Sequence, residues 1–274
     1  MNFFQAFVLG IIQGITEFLP ISSSAHLVLT PFFFGWQIPE EQIFPFDVLV
    51  QVGTLVAVIV YFRSDLLTIL SDVIQGLMNR QPFTSSSSRL GWLLLLASLP
   101  AGIAGILLKD LVEAAFKSPV NVAFFLIGTA GLLWIAESIG KRNRTLASIR
   151  WLDAIWIGAG QALALFPGVS RSGATISAGM ARHLERPAAA RFSFLMSIPI
   201  MTAAGLVGLV DLFRLSNWTA FLPVMTTGFF TAAVVGYLAI HWLLGFLARR
   251  SLRPFAVYCL SLAVITLIFS YAGL

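Results

Sequence analysis

The sequence predicts an all-α, polytopic membrane protein, on the evidence of its composition and of the form of its apolar runs. Of its 274 residues, 58% are hydrophobic and only 11% are charged, whereas a soluble domain carries about 25% charged residues. The mean hydropathy is +0.90. The apolar runs are long and unbroken instead of alternating, which favours membrane-spanning helices over a barrel.

Six segments are predicted to cross the bilayer, with lengths close to the roughly 20 residues that one crossing needs. They lie at about residues 46–62, 91–108, 120–139, 188–213, 219–246 and 255–273. Residues 35–45 and 76–90 carry Pro, Gln, Ser and charged side chains and are predicted to be exposed loops. The first residues lack a basic n-region, so we expect no cleaved signal peptide.

The Lys and Arg residues fall mainly on one side of these six spans. Thirteen of the 17 share that side: Arg63, Arg80, Arg89, Lys141, Arg142, Arg144, Arg150, Arg182, Arg186, Arg191, Arg249, Arg250 and Arg253. Lys109, Lys117 and Arg214 lie on the other side. Cytoplasmic loops carry the excess of positive charge, so both chain ends are expected outside. The net charge of +5 therefore reflects topology, and no basic stripe interleaved with aromatic residues indicates nucleic-acid binding.

A polar turn lies between the third and fourth spans. Arg171 stands between Ser170 and Ser172, shortly after the Pro-Gly pair at 167–168. Pro and Gly end a helix and Ser170 can cap the next one, so residues 153–183 are predicted to form a re-entrant hairpin of two short helices. A helix N-terminus beside an arginine suits a phosphate group. The predicted phosphate ligands are Ser170, Arg171, Ser172, Gly173 and Thr175.

The alternative for Arg171 is a capped turn whose arginine merely extends to the lipid surface. Arginine at bilayer depth costs about 2.5–3.5 kcal/mol on insertion scales and marks a functional site by default. The hydroxyl groups around it add further donors, which favours the phosphate site.

A similar pattern opens the chain. Residues 2–18 and 26–34 are apolar, and Pro20 with the serine run at 22–24 separates them. Neither piece spans a bilayer comfortably, so we predict a second re-entrant hairpin. Such a hairpin is tolerated only where it is buried in protein or lines a cavity.

The two hairpins share a pattern that indicates an internal repeat. Gly-x-x-Gln occurs at residues 10–13 and 158–161 and precedes, each time, an apolar stretch, a proline and a serine pair. Three spans follow each hairpin, and because three is odd, the hairpins enter from opposite faces. We therefore predict one membrane domain built as an inverted repeat, about 1–140 and about 153–274, with its ligand site where the hairpin tips meet.

Gln13 and Glu17 lie four residues apart, on one face of the first hairpin helix. A carboxylate in an apolar helix needs a partner, and the repeat indicates Arg171. Mg²⁺ or Ca²⁺, which protein carboxylates commonly hold together with substrate phosphates, could bind Glu17 and the Gln13 carbonyl. The alternative is a buried ion pair of structural value only.

Ser23 and His26 follow the first turn. His26 could transfer a proton or attack phosphorus, and Ser23 is a competing nucleophile; the sequence leaves this choice open. The alternative for His26 is a satisfied polar side chain. Three acids near span ends, Asp47, Glu137 and Asp211, are interpreted as boundary residues, although Asp47 and Gln51 could face the cavity.

These residues resemble the membrane-embedded undecaprenyl pyrophosphate phosphatases, also called bacitracin-resistance proteins. Gln13-x-x-x-Glu17 is similar to the [E/Q]-x-x-x-E motif of that family, and residues 17–26 to its E-F-L-P-[VI]-S-S-[TS]-[GA]-H stretch. Residues 167–175 are similar to its P-G-x-S-R-S-x-x-T motif. The resemblance runs along essentially the whole chain, with Ser24 and Ala25 where many members have Thr and Gly.

The resemblance implies a bacterial plasma-membrane enzyme that hydrolyses a prenyl diphosphate lipid carrier to its monophosphate, which is recycled for cell-wall polymer synthesis. It implies a divalent cation, a site that opens to the outer face and contact with membrane lipid. Whether the protein forms a homodimer is left open. It places Glu17 as metal ligand or acid/base, Arg171 as phosphate clamp, and His26 or Ser23 as nucleophile or proton donor. It also assigns the hydroxyl groups of Ser170, Ser172 and Thr175 as phosphate ligands.

A transporter or flippase for a phosphorylated prenyl lipid is the alternative function. Inverted repeats with paired re-entrant hairpins are typical of carriers, and the same polar residues could bind the lipid and move it. Turnover without a membrane gradient separates an enzyme from a carrier.

Overall fold

The computed structural model describes residues 1–116, 118–213 and 218–272. Within these ranges the chain forms twelve α-helices, a 3₁₀ turn at Leu146–Ser148 and no β-strand. The helices are α1 (Phe3–Phe18), α2 (Ser23–Phe34), α3 (Glu40–Tyr61), α4 (Arg63–Met78), α5 (Ser86–Leu107), α6 (Lys109–Phe116), α7 (Pro119–Ile139), α8 (Trp151–Leu163), α9 (Arg171–Ala181), α10 (Arg186–Phe213), α11 (Trp218–Leu247) and α12 (Arg253–Ala272). Lys117 and Arg214, assigned above to the less basic side, lie outside the described residues, as does residue 273 at the end of the sixth predicted span.

Six of the described helices are long and apolar enough to cross a membrane, which confirms the predicted all-α, multi-pass class. Their apolar parts are Glu40–Tyr61, Ser86–Leu107, Pro119–Ile139, Arg186–Gly208, Phe221–Leu247 and Arg253–Ala272. Each matches one predicted span within a few residues, except at the start of α3 and α5. The protein is therefore a multi-pass membrane protein.

The predicted loop at 35–45 is wrong in its second half, because α3 already begins at Glu40. Acidic side chains in the first turn of a helix stabilise its N-terminus through the helix dipole, and Glu40 and Glu41 occupy that turn. Both remain exposed, so the polar composition that indicated a loop belongs to the exposed first turn of the helix.

The predicted loop at 76–90 is also too long. Helix α4 continues to Met78, and α5 begins at Ser86 because the Ser85 hydroxyl accepts a hydrogen bond from the Ser88 N–H over 2.9 Å. Helices α4 and α6 are not among the predicted elements and are only 16 and 8 residues long. Helices of this length are too short to cross a bilayer, so a search of the sequence for membrane-spanning apolar runs does not detect them.

Glycines at equivalent positions let each hairpin pack closely on a span of the other half. A Cβ on Gly10 of α1 would lie 2.7 Å from the Gly228 carbonyl oxygen of α11. A Cβ on Gly158 of α8 would clash with the Ala97 carbonyl oxygen of α5. The Gly-x-x-Gln pattern thus has a packing cause. The inverted repeat and the re-entrant course of the hairpins remain predictions. Such a repeat requires that each hairpin pack on a span of the other half, as α1 does on α11 and α8 on α5.

The loops rich in basic residues meet at one end of the bundle, around two buried acids. Glu137, in the last turn of α7, is 4% exposed. It accepts hydrogen bonds from Arg142 over 2.8 Å, from Arg186 over 2.6 and 2.7 Å, and from the Leu252 N–H over 2.7 Å. Glu137 does lie near a span end, as predicted, but it is a buried anchor that ties α7 to the starts of α10 and α12.

Asp153, in the first turn of α8, is the second anchor. It accepts hydrogen bonds from Arg144 over 2.6 Å, from Arg182 over 2.7 Å and from the Arg150 N–H over 3.0 Å. Burial by itself would raise the pKa of this carboxyl, but the hydrogen bonds from Arg144, Arg182 and Arg150 outweigh it and lower the pKa to about 2. Asp153 is therefore a buried anion that holds the base of the second hairpin.

Candidate active site

A cavity of about 230 Å³ lies between the turns of the two hairpins. Glu17 and Ser23 from the first hairpin and Arg171 from the second contribute to its polar wall. Apolar side chains of α5 and α10, among them Ala101 and Met201, form much of the remainder. The cavity therefore combines a charged region with an apolar one, as a lipid with a charged headgroup requires.

Glu17 is at the centre of the polar wall and is 5% exposed. Its Oε1 accepts a hydrogen bond from Arg171 Nη2 over 2.7 Å. Its Oε2 accepts one from Ser23 Oγ over 2.7 Å and one from Gln13 Nε2 over 2.9 Å. These three donors replace the water contacts that the carboxylate loses on burial. The structure thus brings together four of the predicted site residues, from both hairpins.

Arg171 is the first residue of α9, and the cap of that helix fixes where its side chain starts. The Ser170 hydroxyl accepts a hydrogen bond from the Gly173 N–H over 3.0 Å, which satisfies one of the free donors at the helix N-terminus. The Arg171 side chain then extends to Glu17, while its Nη1 lies 3.5 Å from the Ser193 carbonyl oxygen. Its Nη2 also lies 3.8 Å from the Met201 sulfur. These contacts use three of the five guanidinium donors and leave two for an anion in the cavity.

Helix α7 holds the turn that precedes α9. Gly168 has φ +104°, a conformation that L side chains rarely adopt, and a Cβ at this position would clash with the Val122 carbonyl oxygen of α7. Thr129 donates to the Gly168 carbonyl over 2.8 Å and accepts from the Ser170 N–H over 3.0 Å. The Pro-Gly turn thus has a fixed shape, which keeps Arg171 directed at the first hairpin.

Of the five predicted phosphate ligands, only Arg171 lies on the cavity wall as the described residues define it. The other four lie behind it: Ser170, Ser172, Gly173 and Thr175. Ser172 Oγ donates to the Leu19 carbonyl over 2.9 Å and joins the two turns. Thr175 Oγ1 is 2.6 Å from Ser193 Oγ and bonds α9 to α10. In this arrangement these residues shape the turn, and phosphate contacts from them stay a prediction.

His26 has a different environment from Ser23. Its Nδ1 lies 2.7 Å from the Ser22 carbonyl oxygen, and its Nε2 lies 2.7 Å from the Tyr258 hydroxyl. Because a carbonyl only accepts, Nδ1 carries a proton, and in the neutral imidazole Nε2 then accepts from the Tyr258 hydroxyl. His26 is not among the described residues that line the cavity. Both of its nitrogens are engaged, so its position is that of a side chain that fixes the turn.

The turn that His26 fixes is strained. Ser22 has φ +68°, which is uncommon for a residue with a side chain, and its hydroxyl caps α2 by accepting from the Ala25 N–H over 3.3 Å. A strained residue persists only when its surroundings hold it. The His26 bond to the Ser22 carbonyl is one such restraint, and its effect is to keep Ser23 next to Glu17.

The donor atoms available to a cation are few but suitable. Among the described residues, no group of three or more His, Cys, Asp or Glu side chains is placed to hold a metal ion. Gln13 is 2% exposed, and its Oε1 has no hydrogen-bond partner in the described part of the chain. Gln13 is not among the described residues that line the cavity, and the amide atom that contacts Glu17 is Nε2. As a free oxygen donor on the same helix as Glu17, Oε1 fits the ligand preference of Mg²⁺ or Ca²⁺, whose other ligands would come from substrate phosphates and water.

Two glutamines on the cavity wall are outside the set of predicted site residues. Gln51 of α3 lines the cavity, whereas Asp47, which the same alternative places facing the cavity, is not among the described residues of the lining. Gln161 of α8 lines it as well, although in the sequence it stands out only as a marker of the repeat. Its equivalence to Gln13 is the signal that could have identified it.

A family model described as "Bacitracin resistance protein BacA" matches residues 6–265. The chain belongs to this family. The resemblance inferred from the two motifs is therefore confirmed over nearly the full length.

Curated relatives of this BacA-family protein carry a shared name. A protein of Moorella thermoacetica named undecaprenyl-diphosphatase is 45% identical over 265 residues, 97% of each chain. One of Myxococcus xanthus with that name is 42% identical over 273 residues, covering 100% of this chain and 91% of its own. A protein of Stutzerimonas stutzeri named undecaprenyl-diphosphatase 2 is 43% identical over 274 residues, 98% of each chain.

Proposed function

We propose that this BacA-family protein hydrolyses undecaprenyl diphosphate to undecaprenyl phosphate and inorganic phosphate, so that the lipid carrier is recycled for cell-wall polymer synthesis. The names of relatives that are 42% and 45% identical over nearly the whole chain support this activity. The structural observation that carries it is the meeting of Glu17, Ser23 and Arg171 in one cavity. The names give no support to the transporter alternative.

The hydrogen bond from Ser23 Oγ to Glu17 Oε2, at 2.7 Å, supports Ser23 as the nucleophile. Glu17 accepts the Ser23 proton while Oγ forms a bond to the terminal phosphorus. The bond from that phosphorus to the bridging oxygen breaks, and the prenyl monophosphate leaves with the bridging oxygen. Glu17 passes the Ser23 proton to the departing monophosphate and is thereby restored as a carboxylate. It then accepts a proton from the water that hydrolyses the phosphoserine, and inorganic phosphate is released.

Arg171 supplies positive charge where negative charge develops. Phosphoryl transfer depends mainly on positioning and on neutralisation of charge. Three of its five N–H donors contact Glu17, the Ser193 carbonyl and the Met201 sulfur. The other two can bind the terminal phosphate while the bond to the carboxylate is kept. The Glu17–Arg171 pair therefore aligns the base with the phosphate that the nucleophile attacks.

A divalent cation, Mg²⁺ or Ca²⁺, belongs to the proposal, with Glu17 and the Gln13 Oε1 as its protein ligands. When bound, it would neutralise charge on the diphosphate and orient it. The chain's own contribution is the buried amide oxygen of Gln13 and the position of Glu17 on the cavity wall.

The proposed location is the bacterial plasma membrane, with the cavity open to the outer face. The excess of Lys and Arg in the loops opposite supports this orientation through the positive-inside rule. A prenyl chain needs no aqueous pocket, because it can stay in lipid while only the diphosphate enters the cavity. A homodimer remains a prediction, and the molar mass of the protein in detergent tests it.

The function is tested with purified protein in detergent, by phosphate release from undecaprenyl diphosphate with Mg²⁺ or Ca²⁺ present. An enzyme releases phosphate without any membrane gradient, whereas a carrier only moves its substrate and releases no phosphate in detergent. We expect phosphate release by the parent protein and its loss on Arg171→Ala. Absence of release from the folded parent protein would refute the proposal.

A further inference from the structure

Gln161 is a buried polar side chain that the steps above do not use. It lies on α8, is 3% exposed and lines the cavity. Neither its Nε2 nor its Oε1 has a hydrogen-bond partner among the residues that the structure describes. An unpaired buried polar group destabilises a fold, and buried side-chain amides are nearly always paired. The side chain is therefore placed for a ligand that enters the cavity.

A comparison with Gln13 shows why the amide of Gln161 is free. Four residues after Gln13 the chain has Glu17, which accepts the hydrogen bond from Gln13 Nε2 over 2.9 Å. Four residues after Gln161 the chain has Leu165, which also lines the cavity but offers no acceptor. The two repeats thus place an amide at the same position, and only the second leaves its donors unused.

The surroundings of Gln161 differ from those of the polar wall. Glu17, Ser23 and Arg171 form one ionic group, while the cavity lining next to Gln161 along the chain is Ala164 and Leu165. An uncharged donor beside apolar side chains suits a phosphate that is attached to an apolar chain. A cation is disfavoured here, because it seeks anionic oxygen ligands and neither Ala164 nor Leu165 supplies one.

We propose that Gln161 binds the phosphate that carries the prenyl chain, with Nε2 donating to a non-bridging oxygen. This phosphate stays on the product, whereas the terminal phosphate is the one held by Arg171 and attacked by Ser23. The proposal rests on the proposed function, since it divides the two phosphates of that substrate between two parts of the cavity. It makes Gln161 a determinant of affinity for both substrate and lipid product.

The test uses Gln161→Met, which keeps the side-chain length and removes both polar atoms, and compares two product inhibitors. Farnesyl monophosphate carries only the lipid-linked phosphate, and inorganic phosphate represents only the released one. Loss of one hydrogen bond to a charged group corresponds to a factor of about 10–100, so we expect KM for farnesyl diphosphate and Ki for farnesyl monophosphate to rise by about this factor. The Ki for inorganic phosphate and kcat should stay within a few-fold of the parent.

Gln161→Glu adds a negative charge at the same place and should weaken the binding of farnesyl monophosphate further. Gln75→Glu, the same change on the exposed face of α4, is the matched control and should leave these constants unchanged. The proposal is overturned if Gln161→Met leaves Ki for farnesyl monophosphate at the parent value, or if Ki for inorganic phosphate rises in its place. It is also overturned if Gln161→Glu mainly lowers the cation concentration needed for activity, which would identify a metal ligand.

Thermal unfolding separates ligand binding from a structural role. Farnesyl monophosphate should raise the Tm of the parent protein by mass action, and this rise should be lost in Gln161→Met. The Tm without ligand should not fall, because the substitution removes an amide that is unpaired in the described part of the chain; a fall would indicate a structural role and overturn the proposal. If the parent protein does not hydrolyse the diphosphate, the proposed function fails, and this binding assay still tests Gln161.

Discussion

Glu17 and Arg171 are 154 positions apart in the chain, yet Arg171 Nη2 donates to Glu17 Oε1 over 2.7 Å. Their side chains are 4% and 13% exposed, so the pair is largely withdrawn from water. A pair of this kind has two possible roles. It can hold the hairpins together, or it can poise two groups for a substrate, and the two roles differ in what happens when both charges are removed.

We therefore predict the outcome of a double substitution at this pair. Breaking a buried ion pair by removing one partner destabilises by about 3–5 kcal/mol, whereas replacing both partners with uncharged residues is often neutral. Glu17→Gln and Arg171→Met should each lower the Tm, and the double variant should recover much of that loss. Phosphate release should stay abolished in all three, because the base or the phosphate ligand is missing in each.

A half-buried ion pair between α4 and α10, more open to solvent than the Glu17–Arg171 pair, provides the control. Arg191 donates to Asp65 over 3.0 Å, with side chains 43% and 41% exposed, and such pairs contribute about 0–1 kcal/mol. Asp65→Asn with Arg191→Met should change neither Tm nor activity appreciably. Recovery of activity together with Tm in the Glu17–Arg171 double variant would show that the pair is structural only.

The identity of the nucleophile can be read from the covalent intermediate. Ser23 donates to Glu17 on the cavity wall, while both nitrogens of His26 are engaged elsewhere. We expect Ser23→Ala to lower kcat by about 10³-fold or more, the size of loss found when a nucleophile is removed. A diphosphate labelled at its terminal phosphorus should leave an acid-stable phosphoserine on the acid-quenched parent enzyme and none on Ser23→Ala.

Two further variants separate chemistry from positioning. The Ser24 hydroxyl bonds to Ser22 instead of Glu17, so Ser24→Ala should lose much less activity than Ser23→Ala. His26→Ala should lower the Tm along with kcat, since it releases the strained Ser22 turn, and the remaining activity should still pass through phosphoserine. An acid-labile phosphohistidine that persists in Ser23→Ala would instead identify His26 as the nucleophile.

The sequence predicts the helical class, the six spans and the residues that meet in the cavity, because each depends on a local pattern. Apolar length predicts a span, and the paired Pro-Ser turns indicate that Glu17 and Arg171 belong to one site. The position of a side chain relative to a cavity wall depends on packing between distant helices. For this reason the bond between Thr175 and Ser193 and the unpaired amide of Gln161 become visible only in the structure.

The anchoring acids at the basic end show the same limit. Glu137 is correctly placed near the end of α7, but its partners Arg186 and Leu252 come from two later helices. Nothing local in the sequence connects them. The excess of Arg in these loops predicts membrane orientation, whereas its second role, as the counter-charge of buried carboxylates, requires the tertiary structure.

Asp153 should make stability depend on pH in the acid range. Its pKa is about 2 in the folded protein, against an ordinary value of 3.8, so the folded state binds this proton less readily than the unfolded state. The stabilising contribution is complete above the ordinary value and is lost as the pH falls toward the folded pKa. Asp153→Asn should therefore lower the Tm at neutral pH, and its difference from the parent should shrink as the pH falls from about 4 to about 2.

The measurement is thermal unfolding of both proteins in detergent across this pH range. The difference between the two curves isolates Asp153 from other groups that titrate in acid. A difference that stays constant with pH would show that Asp153 acts through packing and not through its charge.

Gly158 should be intolerant of any side chain, because a Cβ there would clash with the Ala97 carbonyl oxygen and lie 3.0 Å from the Pro100 ring. Overpacking a tight contact costs about 1–3 kcal/mol, so Gly158→Ala should lower the Tm and, by moving α8 away from α5, reduce activity. Gly128→Ala on α7 is the matched control, since a Cβ added at Gly128 would have no described atom within 4 Å. Alanine is the better helix former by about 1 kcal/mol, so the control should keep or raise the Tm. Equal Tm values for the two variants would mean that α8 and α5 do not pack as closely as Gly158 indicates.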